Sequence, residues 1–270
     1  MTALDIRPLD EGTKSGAEAL RAGHRIGRLV GEQRDPAAGR GPHVWVGLDD
    51  HELAEGESAG LYADLYSVAG DPWVRAGRLT HFVLAPEDDA EIRVWFSLGF
   101  GQEQVHAERA TNADPPPRRE GLSVRRATTA DLELLLDLGR TLAEHQVGPP
   151  VWSGLALPER EAHREDWAEF IADDFVYVVT LGDEPVGYTG MFEAEPGVIE
   201  LSVAGTVPAA RGRGAGLALV EHALHEAHEN GYETCRLDFR STNLLASRFW
   251  LGRGFRPTHY RLRRDVQPYA

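Results

Sequence analysis

The run Pro208-Ala209-Ala210-Arg211-Gly212-Arg213-Gly214-Ala215-Gly216 carries three alternating glycines and two arginines. Glycines let the main chain approach a ligand closely, and a glycine-rich turn that opens a helix presents unpaired amides at the positive end of the helix dipole. Such a turn binds anions, with phosphate as the natural guest, and guanidinium groups add charge-assisted hydrogen bonds. A nucleotide P-loop is excluded, because Gly-Lys-Ser or Gly-Lys-Thr does not follow at the required place. A dinucleotide fingerprint that begins at Gly212 and Gly214 needs its third glycine where Leu217 stands. Asp238, at a later strand end, imitates the ribose-binding acid, so an NAD-type oxidoreductase stays open as a second chemistry.

A strand expected over Val198 to Val207 puts Glu200 and Ser202 on one face and Ile199, Leu201 and Val203 on the other. Glu200 is the candidate general base on that strand, with Ser202 beside it. His225-Glu226-Ala227-His228 is one residue shorter than the H-E-x-x-H zinc helix, so a solvated helix face is expected there and no metal. Cys235 alternates with Leu237 and Phe239, the pattern of a buried structural thiol.

The elements that must position these groups are legible over the second half. A strand is expected at Leu122 to Arg126, then a helix from Thr129 to His145 with capping-box spacing between Thr128 and Asp131. A second helix starts at Pro158 and runs through Trp167 and Phe170. Strands follow at Phe175 to Leu181, Val186 to Phe192 and Val198 to Val207, then a helix over Gly216 to Asn230. A strand at Thr234 to Phe239, a helix at Asn243 to Leu251 and a final extended stretch at Phe255 to Arg264 complete a mixed α/β layer structure.

The first 112 residues are less regular. A helix is expected at Ala17 to Gly31, an acidic glycine-rich stretch without period at Gly39 to Gly60, a strand at Arg78 to Leu84 and a helix at Glu87 to Leu98. Arg93-Val94-Trp95 with Gly99-Phe100 matches Arg248-Phe249-Trp250 with Gly254-Phe255 at one constant offset, which suggests two diverged copies. Three consecutive prolines at Pro115 to Pro117 mark a linker, so the expected division is residues 1–112, a linker at 113–121 and a second domain at 122–270.

The chain has 270 residues, enough for two domains, and its formal charge is -15 from 28 basic and 43 acidic side chains. Divided after Gly121, both halves remain acidic, which disfavours nucleic acid and favours a cationic partner such as an amine. No apolar stretch approaches the length of a membrane span, and one cysteine excludes an internal disulfide; a cytoplasmic protein without a membrane partner is expected.

Arg211-x-x-Gly214-x-Gly216 resembles the Q/R-x-x-G-x-G/A signature of the GNAT superfamily of acyl-CoA-dependent N-acyltransferases. Asn243, Ala246, Trp250, Gly254 and Phe255 resemble a second signature of that family, in the same order and separation. The resemblance covers about residues 122 to 264 and implies an α/β (mixed α+β) fold: two GNAT-like domains, each a twisted mixed sheet flanked by helices, the first a degenerate copy that does not bind coenzyme A. It implies that the sheet splays between its fourth and fifth strands. Backbone of Ala204, Gly205 and Thr206 would then bond a pantetheine arm. Amides of Gly212, Arg213, Gly214, Ala215 and Gly216, with the Arg211 side chain, would bind pyrophosphate. Asn243 would face this ligand or cap its helix. Acetyl-CoA or a related acyl-CoA would be the co-substrate, without a metal, and the acceptor a primary amine on a small molecule or peptide.

The same resemblance implies that Glu200, directly or through water, deprotonates the amine. Trp250 departs from the tyrosine that many members use to protonate the departing sulfur, and an indole cannot serve as that acid. Solvent, a hydroxyl of Ser241, Thr242 or Ser247, or a non-catalytic acyl-CoA sensor are the readings left open. The first domain is expected to wall the acceptor cleft or to mediate a homodimer.

Overall fold

The computed structural model describes residues 3–36, 40–153 and 157–268. In chain order its elements are β1 (Leu4–Asp10), β2 (Lys14–Arg21), β3 (His24–Arg34), β4 (His43–Val46), β5 (His51–Leu53), α1 (Leu61–Arg75), β6 (Thr80–Pro86), α2 (Asp89–Ser97) and β7 (Gly101–Ala110). They continue with β8 (Leu122–Arg126), α3 (Leu132–Val147), α4 (Arg164–Asp173), β9 (Phe175–Leu181), β10 (Glu184–Glu195) and β11 (Val198–Thr206). The last are α5 (Ala215–Glu229), β12 (Thr234–Arg240), α6 (Leu244–Leu251) and β13 (Arg256–Asp265).

Two compact units result: one runs to His106 and takes in the chain from Pro257 onward, and the other is Ala107–Arg256. This differs from the division expected at residues 113–121. Amides of Thr111 and Asn112 already bond Glu233 and Leu224 in the second unit, while β13 pairs antiparallel with β6 and so closes the first.

In the first unit β1, β2, β3 and β4 follow one another antiparallel, and β4 then lies parallel to β6. The helix expected at Ala17 to Gly31 is instead the β2–β3 hairpin. Ala22 and Gly23 turn it with φ of 54° and 81°, the two left-handed residues that a tight hairpin needs. Ala17, Ala19, Leu29 and Val30 are buried along it. The acidic stretch before Gly60 contains β4 and β5; its first expected residue, Gly39, lies outside the described residues. Leu65, Ala69 and Trp73 of α1 bury against Leu29, Val44 and Val83.

The second unit has the same strand order and directions: β8, β9, β10 and β11 are successively antiparallel, and β11 is parallel to β12. Alternation on β9 sends Val176 and Val178 to the core beneath α3 and α4, whereas the Tyr177 ring meets His222 of α5 at 5.0 Å. Helices therefore cover both faces. α3 is fixed at its start by Asp131, whose carboxylate accepts from the Thr128 amide at 2.8 Å and from two nitrogens of Arg125 at 2.7 and 2.8 Å. The Arg125 guanidinium and these hydrogen bonds hold the Asp131 pKa down at about 2.

The paired residues Trp95–Phe100 and Trp250–Phe255 occupy equivalent places. Each tryptophan lies in a helix after a strand, each is followed by a glycine with φ of 84°, and each Phe amide bonds the Trp carbonyl. The ring pairs meet edge-on at 5.2 and 5.4 Å. Among the described residues no helix is long and apolar enough to cross a membrane.

Candidate active site

β11 and β12 pair only from Val198–Thr234 to Leu201–Leu237. Beyond Leu201, β11 continues to Thr206 and β12 to Arg240 without pairing to each other, so the two strands part within the second unit. On its other side β11 keeps its bonds to β10, but the register passes from Gly190–Val203 to Met191–Leu201 and leaves Ser202 without a partner. This bulge breaks the simple alternation expected from the sequence. Glu200 and Ser202 consequently do different things. Glu200 Oε2 accepts from Arg236 Nε at 3.2 Å across the β11–β12 pair, and Arg236 also holds Glu195 at 2.7 Å. Ser202 is exposed and lines a cavity.

β11 leads through a short turn at Pro208–Ala210 into the glycine-rich loop and α5. Gly212 and Gly214 have φ of 76° and 89°, values that a side chain would strain, and Gly214 is the N-cap residue. Amides of Arg211 and Arg213 are used within the turn, by Pro208 and Ala210. Those of Gly212, Gly214, Ala215, Gly216 and Leu217 find no acceptor among the described residues. A β-carbon at Gly212 would meet nothing within 4 Å, and Arg211, Gly212 and Arg213 are exposed. The result is an open run of donors at the positive end of a 15-residue helix, flanked by two guanidinium groups. These residues fit a diphosphate. Ala204, Gly205 and Thr206 lie on the part of β11 that β12 has left, the edge to which an extended amide-bearing arm can add.

Asn243 is buried and its Oδ1 accepts from the Ala246 amide at 3.1 Å, the N-cap of α6. The same oxygen faces His145 Nε2 at 3.2 Å, which ties α3 to α6. This histidine was not singled out from the sequence, because nothing in its spacing announces a partner 98 residues away. Trp250 is buried between Phe249 and Phe255, as expected of a packing residue. Cys235 is buried too, and burial pushes its thiol up to about 12, so it is no nucleophile at neutral pH. Among the described residues no group of three or more His, Cys, Asp and Glu is placed to hold a metal ion.

The cavity beside Ser202 has a volume of about 310 Å³ and lies between α3, α4 and strands β10 and β11. Of its residues from α3 and α4, the apolar Leu136, Leu142, Trp167 and Phe170 carry no sequence signal beyond packing.

The second unit is therefore a mixed α/β fold whose sheet opens beside a helix start with open amides. Residues 141–255 match the model of the acetyltransferase (GNAT) family. Solved structures with the same fold cover nearly the whole chain. A GCN5-related N-acetyltransferase from Sphaerobacter thermophilus is 17% identical with a TM-score of 0.63, covering 97% of this chain and 84% of its own. A tandem GNAT protein from the clavulanic acid biosynthesis pathway is 14% identical with a TM-score of 0.53, covering 95% and 84%. A GCN5-related N-acetyltransferase from Kribbella flavida is 14% identical with a TM-score of 0.50, covering 91% and 88%. No curated protein sequence matches the chain.

Proposed function

We propose that the protein transfers an acetyl or related acyl group from acyl-CoA to a primary amine. The observation that carries this reading is the coincidence, on one strand, of the β11–β12 parting with the open amides at the start of α5. The Arg211 side chain, the amides of Gly212, Gly214, Ala215 and Gly216 and the Arg213 side chain would hold the pyrophosphate of coenzyme A, and the backbone of Ala204, Gly205 and Thr206 its pantetheine arm; the Arg213 amide, expected among these donors, is used within the turn. Bound acyl-CoA supplies an activated thioester carbonyl. The remaining work falls to this chain's own residues: to seat the amine in the cavity beside Ser202, to keep it neutral and to remove its proton. The amine nitrogen bonds the carbonyl carbon as the carbon–sulfur bond breaks, and coenzyme A leaves as the thiolate.

Ser202 stands on the cavity wall, and in this reading its hydroxyl hydrogen-bonds the amine. Glu200 does not line the cavity, so in this reading it receives the proton through water while Arg236 holds its carboxylate in place. Direct contact between Glu200 and the amine is not favoured by the Arg236 pair.

The first unit reads as a degenerate copy that binds no coenzyme A. Its topology repeats that of the second unit, but, counted from the N-caps Gly60 and Gly214, Glu57 and Ala59 stand before α1 where Arg211 and Arg213 stand before α5. The amides of Leu61, Tyr62 and Ala63 are used by Ser58, Ala59 and Gly60, so the helix start offers an anion neither free donors nor positive charge. A thiol-release assay with acetyl-CoA over a panel of amines tests the enzymatic reading: turnover on any amine supports it. Tight acetyl-CoA binding with no release on any of them would make the protein an acyl-CoA sensor instead.

A further inference from the structure

The walls of the cavity narrow the acceptor. Three of its aromatic rings are seated on glycines. A β-carbon at Gly139 of α3 would stand 3.2 Å from two atoms of the Trp167 indole, and one at Gly190 of β10 would stand 2.6 Å from Phe170 Cζ. A β-carbon at Gly205 of β11 would stand 2.8 Å from Tyr188 Cε1. Each glycine thus lets a ring lie against backbone, and the Trp167 ring meets those of Phe170 and Tyr188 at 5.9 and 5.5 Å. With Leu136, Leu142 and Val203 these rings make an apolar interior.

The cavity is also lined by the half-buried Gln146 amide and by charged groups, of which Glu159 is exposed and the others are engaged. Arg160 is paired with Asp137, Glu133 and Glu161, Arg140 donates to the Pro158 carbonyl, and the side chains of Asp166 and His163, 3.0 Å apart, are both largely exposed. Among the described residues no buried carboxylate lines the interior. Tyr188, which is 1% exposed, lines the cavity with its ring, while its hydroxyl lies 3.3 Å from where a β-carbon of Gly205 would stand. Burial holds this phenol above its usual pKa, so it stays a neutral donor.

We infer that the acceptor is a monoamine on an apolar, ring-sized body that lies among Trp167, Phe170 and Tyr188, with its amine toward Ser202. This rests on the acyltransferase reading for the chemistry but on the cavity alone for the ligand class. A second ammonium, as in a linear polyamine, or a peptide backbone lying among Trp167, Phe170 and Tyr188 would be stripped of water, which is costly. An aromatic or alicyclic body loses little by the same transfer.

The test titrates 2-phenylethylamine, spermidine and a lysine-containing peptide into the full chain by calorimetry, without and with acetyl-CoA, and follows thiol release for each. The cavity predicts measurable binding of phenylethylamine, and a kcat/KM for it at least tenfold above the other two acceptors. Ala143→Trp, which fills the cavity from α3, should abolish that binding while leaving acetyl-CoA affinity unchanged. Spermidine or the peptide bound or turned over as well as the aromatic amine overturns the inference and leaves the acyltransferase reading standing. Phenylethylamine binding that Ala143→Trp removes, with no binding of acetyl-CoA, supports the cavity assignment and overturns the acyltransferase reading. Absence of both bindings overturns both.

Discussion

Leu201 and Leu237 are the last residues to pair across β11 and β12, and one position further on Ser202 bulges out of register with β10. A parallel pair that stops in mid-strand leaves backbone donors and acceptors of β11 without strand partners, and such groups inside a protein call for a ligand or water. Those of Ala204 to Thr206 lead directly to the loop whose amides are open. One strand therefore carries the opening, the cavity wall and the approach to the anion site.

The base of this opening is held by Glu200 and Arg236, whose charges face each other at register-matched positions. Glu200→Gln should lower kcat by about tenfold or more if the carboxylate takes up the proton. If Glu200 only braces the strands, kcat should stay within about threefold while the thermal midpoint falls, and Arg236→Gln should give the same result. Steady-state kinetics with thermal unfolding of both variants decides between the two.

Trp250 packs between Phe249 and Phe255 and cannot donate a proton to sulfur. Trp250→Phe should therefore keep kcat within about threefold, and Trp250→Ala should cost about 3–5 kcal/mol of stability by opening a cavity in the core. A hundredfold loss of kcat in the phenylalanine variant at unchanged stability would assign Trp250 a chemical role that its packing does not suggest.

Asp131 supports α3, which forms one wall of the cavity, and its pKa is lowered to about 2 by Arg125 and the Thr128 amide. Because the folded value lies below the unfolded one, its contribution is present above about pH 4 and is lost as the pH falls through about 2. Asp131→Asn should destabilise the protein by about 1–2 kcal/mol at pH 7, the partner Arg125 being half exposed and screened. Urea unfolding of both proteins should show that gap closing toward pH 2; a gap independent of pH would contradict the assignment.

Much of the second unit was legible because its signals are local. β9 coincides with the expected Phe175 to Leu181, where valines and tyrosine alternate between two covered faces, and α5 differs from expectation by one residue at each end. The glycine-rich turn into α5 was legible because Gly212, Gly214 and Gly216 alternate with arginine and alanine directly before a periodic helix. In the first unit β2 and β3 were read as a helix because Ala17, Ala19 and Leu20 suit either period, and the Ala22–Gly23 turn carries only one glycine. α1 escaped notice because Gly70 and Pro72 interrupt its sequence, although the proline lies close enough to the end for the helix to survive it. The bulge at Ser202 and the ring-lined cavity have no sequence signature. The first depends on how β10 pairs, and the second on glycines and aromatic residues far apart in the chain.

Acetyl-CoA titrated calorimetrically into the wild-type chain and into Gly212→Val is the most direct measurement of the central claim. The variant side chain would enter open space at a left-handed position, with a strain of about 1–2 kcal/mol that the fold should tolerate and that circular dichroism can verify. One molecule bound per wild-type chain, with affinity reduced at least tenfold in the folded variant, is the predicted result. Two molecules per chain, no binding at all, or equal affinity in both proteins would contradict it.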